Sequence, residues 1–107
     1  MLGLSINRVT GMSMHPRLPD GSFILLRSLQ SGSSLRGLEQ RRNALKLGSM
    51  VKCRHIRYGP IIKTIVMVDQ QGRYWLEGEH ESSITKEQMG PVILDQIVSR
   101  VIFSISS

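Results

Sequence analysis

Short apolar runs separated by turn residues dominate the pattern of hydrophobic and polar positions along this chain. Runs rich in aliphatic and aromatic residues cover 4–9, 22–27, 49–55, 61–68, 73–77 and 97–105. Turn segments that pair Gly with Pro or Asp separate several of them, at 19–21, 57–60 and 69–72. Many short strands at close spacing predict an all-β fold, with compact antiparallel sheets forming a barrel-like structure. The length of 107 residues predicts a single domain over 1–107.

One segment departs from the strand pattern. Serines, glycines and charges fill 28–48, and within it Leu35, Leu38, Arg42 and Leu45 recur at helical spacing. Ser34 is a candidate helix cap and Gly48 a candidate stop. We expect one short helical excursion here, and a polar loop over 78–90.

Lys63 stands inside the most continuous apolar run, Pro60-Ile61-Ile62-Lys63-Thr64-Ile65-Val66-Met67-Val68. On a strand, alternate residues flanking this lysine are apolar on both sides, which predicts that both faces are buried. Burying an ammonium group is costly unless it is paired or loses its proton. Lys63 is therefore either a buried general base with a lowered pKa or a charge on an edge strand that points to solvent.

Ser13 lies fifty residues earlier, between two methionines. A serine needs a base within hydrogen-bond reach to act as a nucleophile, and Ser-Lys pairs are one variant of the serine-histidine-aspartate arrangement. Gly11 permits a tight backbone path on which main-chain N–H groups converge as an oxyanion hole. Met12, Met14 and Leu18 are candidates for the apolar wall of a small substrate pocket. The alternatives are a turn serine and ordinary core packing.

Four motifs together resemble the signal peptidase I-like family of Ser/Lys peptidases. Segment 11–18 is similar to its serine box, Ser-Met-x-Pro-x-Leu, and Ile62-Lys63-Thr64-Ile65 is similar to its lysine box. Segment 47–51 is similar to its Gly-Asp-x-Val motif, and segment 78–92 to its glycine-containing last box. The resemblance runs from about residue 9 to residue 101, and the order and spacing of four boxes are more specific than any single box.

The resemblance implies a signal peptidase/LexA-type peptidase fold with Ser13 as nucleophile and Lys63 as general base. It implies that Ser83 hydrogen-bonds the lysine and orients it. It places the oxyanion hole at the backbone of Gly11 and Ser13.

The sequence departs from the family pattern at several positions. Ser22 replaces the aspartate that follows the glycine of the turn, and Glu79-His80 replaces Asp-Asn. Thr85-Lys86-Glu87 stands where Asp-Ser-Arg is usual. We therefore expect the family's supporting ion pair to be absent.

Within the family, the chain looks most like the soluble branch that matures nickel-type superoxide dismutase. That likeness implies an endopeptidase that removes an N-terminal leader from a protein substrate, such as the superoxide dismutase precursor. It implies no cofactor and no metal in the enzyme itself.

Charge and composition leave another class of function open. The net charge is +6, and seven of the fourteen lysines and arginines lie between Arg27 and Arg54, opposed only by Glu39. Such a field attracts nucleic acid, an anionic membrane surface or an acidic protein. The alternative function is a basic binding module on a degenerate peptidase scaffold, although no aromatic residues interleave with the charges. No obligatory nucleic acid is expected, and peripheral membrane contact stays open.

Targeting signals and cysteine usage predict a cytoplasmic protein. No apolar run approaches the roughly 18 residues needed to span a bilayer, and the first ten residues are a poor signal peptide. The single cysteine, Cys53, rules out an internal disulfide and fits a reducing compartment.

Three rival chemistries are weaker. Self-cleavage of the LexA type needs an Ala-Gly or Cys-Gly segment before the serine, and neither dipeptide occurs. A triad could combine Ser13 with His15 or His80 and Asp20 or Asp95, but nothing in their spacing supports it. A metal site at Cys53 and His55 would need further ligands from a histidine elsewhere.

Overall fold

The computed structural model describes residues 3–29 and 35–106, and antiparallel strands make up most of it. The strands are β1 (Leu4–Arg8), β2 (Phe23–Ser28), β3 (Met50–His55), β4 (Gly59–Val68), β5 (Tyr74–Glu77) and β6 (Ile97–Ile105). Two α-helices, α1 (Leu35–Ala44) and α2 (Lys86–Met89), and a 3-10 turn (Leu94–Gln96) connect them. Every predicted strand is confirmed to within two residues at each end. No helix in the described ranges is long and apolar enough to cross a membrane.

The strands form one six-stranded sheet in the order β1-β2-β6-β3-β4-β5, and every neighbouring pair is antiparallel. The mostly β, antiparallel fold is therefore confirmed. A closed barrel requires pairing between the first and last strands, whereas β1 and β5 are the two edges of this sheet. The expected barrel-like closure is wrong.

The helical excursion is confirmed as α1, which ends at Ala44. The proposed cap, Ser34, lies outside the described residues. The predicted stop at Gly48 has a positive φ of 89°, and its N–H donates to the Ile65 carbonyl, so the chain turns there into β3.

The loop predicted over 78–90 contains α2, which the sequence pattern missed. Thr85 begins this helix as a capping box, because its hydroxyl accepts from the Gln88 N–H and the Gln88 side chain accepts from the Thr85 N–H. A helix of four residues is too short to produce a periodic apolar signal.

Two clusters of buried apolar side chains lie on opposite faces of β3 and β4. The large cluster contains Leu45, Val51, Cys53, Ile65, Tyr74, Leu76, Met89, Val92, Leu94 and Ile97. The small cluster contains Val9, Met14, Leu18, Ile24 and Leu26. Ile61 packs against the large cluster and its neighbour Ile62 against the small one, as the alternation of a strand requires.

Candidate active site

Lys63 is buried in β4, with only 5% of its surface exposed. Ile61 and Ile65 share its side of the strand, and Val51 stands opposite it in the β3–β4 ladder. No hydrogen bond or ion pair to the Lys63 side chain occurs within residues 3–29 and 35–106. Burial without a partner lowers the pKa of the Lys63 ammonium below its ordinary value of 10.5. The interpretation of Lys63 as a charge that points to solvent is therefore wrong, because its side chain is buried although β5 does not pair with this part of β4.

Ser13 is held in the β1–β2 connection through its own carbonyl group. This carbonyl accepts three hydrogen bonds, from the Glu79 N–H at 2.7 Å, the His80 N–H at 2.9 Å and the Ser83 hydroxyl at 2.9 Å. All three donors belong to the segment that follows β5. Because Glu77 at the end of β5 pairs with Thr64, this segment brings Ser13 towards the strand that carries Lys63.

Gly78 makes this close approach possible. A Cβ atom built at Gly78 would lie 2.6 Å from the Ser13 carbonyl oxygen and 2.7 Å from Ser83 Cβ. Real Cβ atoms do not approach other heavy atoms this closely, so any other residue would push the loop that carries Ser13 away.

Ser13 and Lys63 line the same cleft, which has a volume of about 390 Å³. No hydrogen bond joins their side chains, although both residues lie in the described part of the chain. Catalytic hydrogen bonds are often long or misaligned without substrate and shorten when substrate binds. The volume lies within the range of ligand-binding clefts. The other lining residues are Asn7, Arg8, Val9, Thr10, Met14, Ile24, Lys52, Pro60, Ile61 and Ile62.

The cleft runs along the edges of two strands. Successive side chains of a strand point to opposite faces, so consecutive residues 60–63 all line a cleft only when it follows the edge of β4. Residues 7–10 line it in the same way at the edge strand β1 and just beyond it. Because β5 pairs with β4 only from Thr64 onward, the outer edge of 59–63 has no neighbouring strand among the described residues. Two open backbone edges in the described part of the chain therefore border the cleft that holds Ser13 and Lys63.

Asn7 adds an unsatisfied polar group to the cleft. Its Oδ1 atom is buried and has no hydrogen-bond partner in the structure as described. A buried acceptor without a partner is costly, and such atoms are rare away from binding sites. Sequence reasoning missed Asn7, since nothing in the pattern of β1 marks it as different from a surface asparagine.

Ser83 has a different role from the one that the family resemblance implies. Its hydroxyl donates to the Ser13 carbonyl, and no hydrogen bond links it to Lys63 among the described residues. The expectation that Ser83 orients the lysine is corrected: in this structure the Ser83 hydroxyl holds the backbone of Ser13.

The oxyanion hole also differs from the expectation. The Gly11 N–H donates to Asp20 Oδ1 at 2.8 Å, so it is already engaged and the assignment to Gly11 is corrected. The Ser13 N–H has no acceptor among residues 3–29 and 35–106 and stays available. Gly11 itself has a φ of 91°, a conformation that favours glycine.

Only one of the three predicted pocket residues lines the cleft. Met14 does so and is buried. Leu18 is fully buried in the small cluster, and Met12 is 46% exposed and outside the cleft lining. The assignments of Leu18 and Met12 to the pocket are therefore wrong. Val9, Ile24 and Ile61 supply the apolar wall instead, which sequence alone does not reveal because they come from three separate segments: the residue after β1, strand β2 and strand β4.

Glu79 connects the loop that carries Ser13 to strand β4, which carries Lys63. Its carboxylate accepts from the Thr64 hydroxyl at 2.6 Å and lies 3.8 Å from the Arg17 guanidinium. Thr64 is the neighbour of Lys63, and Arg17 belongs to the loop that carries Ser13. An ion pair therefore supports the site, although Thr85-Lys86-Glu87 contributes only a helix cap and a surface pair between Lys86 and Glu87.

The histidines do not assemble a triad with Ser13. His80 contacts Ser82 through Nδ1, and the rings of His15 and His80 lie 6.1 Å apart, edge to face. Neither histidine hydrogen-bonds the Ser13 side chain in the described ranges.

Cys53 and His55 do not form a metal site. His55 Nδ1 accepts the N–H groups of Arg57 and Tyr58, so Nε2 carries the proton and donates to the Met89 carbonyl. Burial raises the pKa of the Cys53 thiol to about 11. No group of three or more potential metal ligands occurs among the described residues.

The sequence matches no known protein-family model and no curated protein. The function must therefore be inferred from the cleft itself. Its features are a buried unpaired lysine, a serine held by three hydrogen bonds and two open strand edges.

Proposed function

We propose that this protein is a serine endopeptidase in which Ser13 and Lys63 form a catalytic dyad. The observation that carries the proposal is that a buried lysine without a partner lines the same cleft as Ser13. Burial lowers the pKa of Lys63 and so favours the neutral amine that a general base must be, and a serine beside such a base is a nucleophile.

In the proposed reaction, Ser13 Oγ attacks the carbonyl carbon of the scissile peptide bond while neutral Lys63 takes the hydroxyl proton. The Ser13 N–H stabilises the oxyanion that forms. The Lys63 ammonium then protonates the leaving amine, the C–N bond breaks, and the acyl group stays on Ser13. Lys63 next takes a proton from water as the water oxygen attacks the ester. Its ammonium returns the proton to Ser13 Oγ when the C–O bond of the ester breaks.

The open edges of β1 and of β4 at 59–63 support a polypeptide substrate. An extended peptide that lies between them exchanges main-chain hydrogen bonds with both, in the manner of an added strand. The Asn7 carboxamide supplies a further acceptor for a peptide N–H. The cleft therefore suits a short extended segment, such as a leader that joins a folded partner.

The finer proposal is a signal peptidase I-like enzyme of the branch that matures nickel-type superoxide dismutase. It rests on the order of the sequence boxes together with the burial of the predicted base. In this proposal the partner is a cytoplasmic precursor whose N-terminal leader is removed.

The test is cleavage of a nickel-type superoxide dismutase precursor, followed by mass measurement of the product. We expect cleavage by the wild type and none by Ser13→Ala or Lys63→Met. Matched controls are Ser104→Ala and Lys46→Met, which change an exposed serine and an exposed lysine outside the cleft. Both controls should cleave as the wild type does.

Retained cleavage by either dyad variant would overturn the mechanism. If the wild type cleaves leader peptides of other sequence but not this precursor, the peptidase stands and the assignment to the branch fails. The absence of a Ser13–Lys63 hydrogen bond in the structure favours a second candidate, a binding module on a peptidase scaffold. A salt-sensitive affinity for nucleic acid that survives both dyad substitutions, without any cleavage, would establish it.

A further inference from the structure

The cleft around the dyad is lined by positive charge alone. Arg8, Lys52 and Lys63 line it, and none of its lining residues is Asp or Glu. When Lys63 is neutral, as the proposed base must be, two positive charges remain. A concave, partly apolar site focuses the field of such charges on whatever enters it.

The two remaining cations are free to pair with a ligand. Neither Arg8 nor Lys52 has an ion pair or hydrogen bond from its side chain within the described part of the chain. The Arg8 guanidinium lies 5.5 Å from the centre of the Phe23 ring, which orders it at the edge of β1. Lys52 is half-buried on β3, where it pairs with Ile62 of β4 and Ser99 of β6. Half-burial strengthens its attraction for an opposite charge relative to a fully solvated lysine.

We propose that the cleft selects peptide substrates that carry an acidic side chain in the segment lying against Arg8 and Lys52. The inference rests on the proposed peptidase function and names its substrate class. A peptide fits better than a nucleic acid because no aromatic side chain lines the cleft to stack on a base.

The acidic residue has a restricted place along the substrate. A carboxylate beside Lys63 would favour the ammonium form and oppose its role as base. The preference therefore applies to positions that flank the scissile bond at a distance. An Asp or Glu immediately beside the scissile bond should slow cleavage.

The test uses pools of synthetic, C-terminally amidated octapeptides. In each pool one position is fixed as Asp, Asn or Lys, and the others are equimolar mixtures of uncharged residues. We expect the wild type to cleave the best Asp pool about 3- to 10-fold faster than the matching Asn pool, with the Lys pool slowest. In 0.5 M NaCl the ratio should fall to about 2-fold or less. A ratio near one at every position and at low salt would overturn the inference.

Variants locate the effect. Arg8→Gln and Lys52→Gln should each reduce the preference for Asp, and the double Arg8→Glu/Lys52→Glu variant should prefer the Lys pool. Arg36→Gln is the matched control, because it removes one exposed charge on α1, outside the cleft. A preference that survives the double reversal, or one that Arg36→Gln reduces equally, would show that net charge and not the cleft is responsible.

Binding separates this inference from the peptidase proposal. Fluorescently labelled Asp and Asn pools are titrated with the Ser13→Ala protein, and the anisotropy is measured. Tighter binding of the Asp pools, lost in Lys52→Gln, supports the inference even if the wild type cleaves nothing. Equal binding overturns it even if the wild type is active. Tighter binding of pools with a free C-terminus than of amidated pools would identify a preference for the terminal carboxylate instead of an acidic side chain. If single-stranded DNA competes and binds more tightly than the Asp pools, nucleic acid and not a peptide is the ligand.

Discussion

The regions that supply Lys63 and Ser13 are built differently. Lys63 lies on β4 within a sheet ladder, on the face covered by the large cluster, and packing alone holds it. Ser13 lies in the β1–β2 connection beside the small cluster of five side chains, and three hydrogen bonds to its carbonyl hold it. The proposed base is placed by burial, and the proposed nucleophile is placed by directional bonds from a distant segment.

The difference has a chemical consequence. Burial without a partner lowers the pKa of the lysine, and a hydrogen-bond partner for its ammonium would raise it again. The serine needs the opposite, because its Oγ must stay at a fixed position relative to the neighbouring base. Packing suits the first requirement and hydrogen bonds suit the second.

The largest expected effect is that of replacing Lys63, which should lower activity and raise stability. Lys63→Met should reduce kcat/KM by about 10³-fold or more, since the general base is lost. The same change should raise the free energy of unfolding at neutral pH by about 1–2 kcal/mol, because a buried group that folding must deprotonate or desolvate is replaced by an apolar one. Urea denaturation followed by circular dichroism measures the second quantity. A destabilised Lys63→Met protein would show that the ammonium has a partner.

The pH dependence of this pair of effects has a defined sign. Because the pKa of Lys63 is lowered in the folded state, activity should rise with pH through that pKa, below 10.5. Between the folded-state and the unfolded-state pKa of Lys63, the unfolded chain binds more protons than the folded protein does. The contribution of Lys63 to the free energy of unfolding therefore also rises with pH in this range. The stability difference between Lys63→Met and wild type should therefore narrow as the pH increases from the folded-state pKa of Lys63 towards 10.5.

The next effect tests the junction that holds Ser13. Gly78→Ala should lower the free energy of unfolding by about 2–3 kcal/mol, since the new Cβ collides with the Ser13 carbonyl and Ser83. Gly48→Ala is the control for backbone strain without a collision: unlike Gly78, Gly48 has a positive φ of 89°, and nothing lies within 4 Å of its Cβ position, so a cost of about 1 kcal/mol is expected. Equal costs would mean that the junction is not tightly packed.

Ser83→Ala should have a smaller effect, because two backbone donors to the Ser13 carbonyl remain. We expect a loss of about 1 kcal/mol of stability and a fall of about 3- to 30-fold in kcat/KM. The acid limb of the pH–rate profile should not move, since Ser83 contacts Ser13 and not Lys63. A shift of that limb would restore the lysine-orienting role that the family resemblance implies.

The smallest expected effect is on stability, at Asp69 in the turn between β4 and β5, and it serves as a control for Lys63. Burial alone would raise the pKa of Asp69, but hydrogen bonds from Arg73, Trp75 and Gln71 hold it at about 2. This stabilisation is present above the ordinary pKa of about 3.9 and is lost as the pH falls towards 2. Asp69→Asn should therefore be less stable than wild type at pH 7, and the two urea midpoints should converge by pH 2. Unchanged activity at pH 7 would separate this titration from that of Lys63.

Local sequence patterns predict many of the strands and turns of the sheet. The bounds of β6 follow from its apolar run, and the turn at 69–72 follows from Asp69 and Gly72, whose backbone groups hydrogen-bond each other. The short helix α2 has no such signal, and the barrel-like closure was an inference about sheet order that no local pattern contains.

Some features of the candidate site follow from local sequence, and others depend on the tertiary structure. The apolar run around Lys63 predicts its burial because neighbours along a strand decide which faces are apolar, and its pKa follows from burial. The sequence by itself therefore determined a strand-rich chain with Ser13 and Lys63 as its candidate reactive pair. Only the tertiary structure decided that Ser83 binds the Ser13 carbonyl across 70 residues, that Asp20 occupies the Gly11 N–H, and that Arg8 and Lys52 share one cleft. These contacts depend on which strands become neighbours and which edges stay open, and that outcome is set by the packing of the whole sheet.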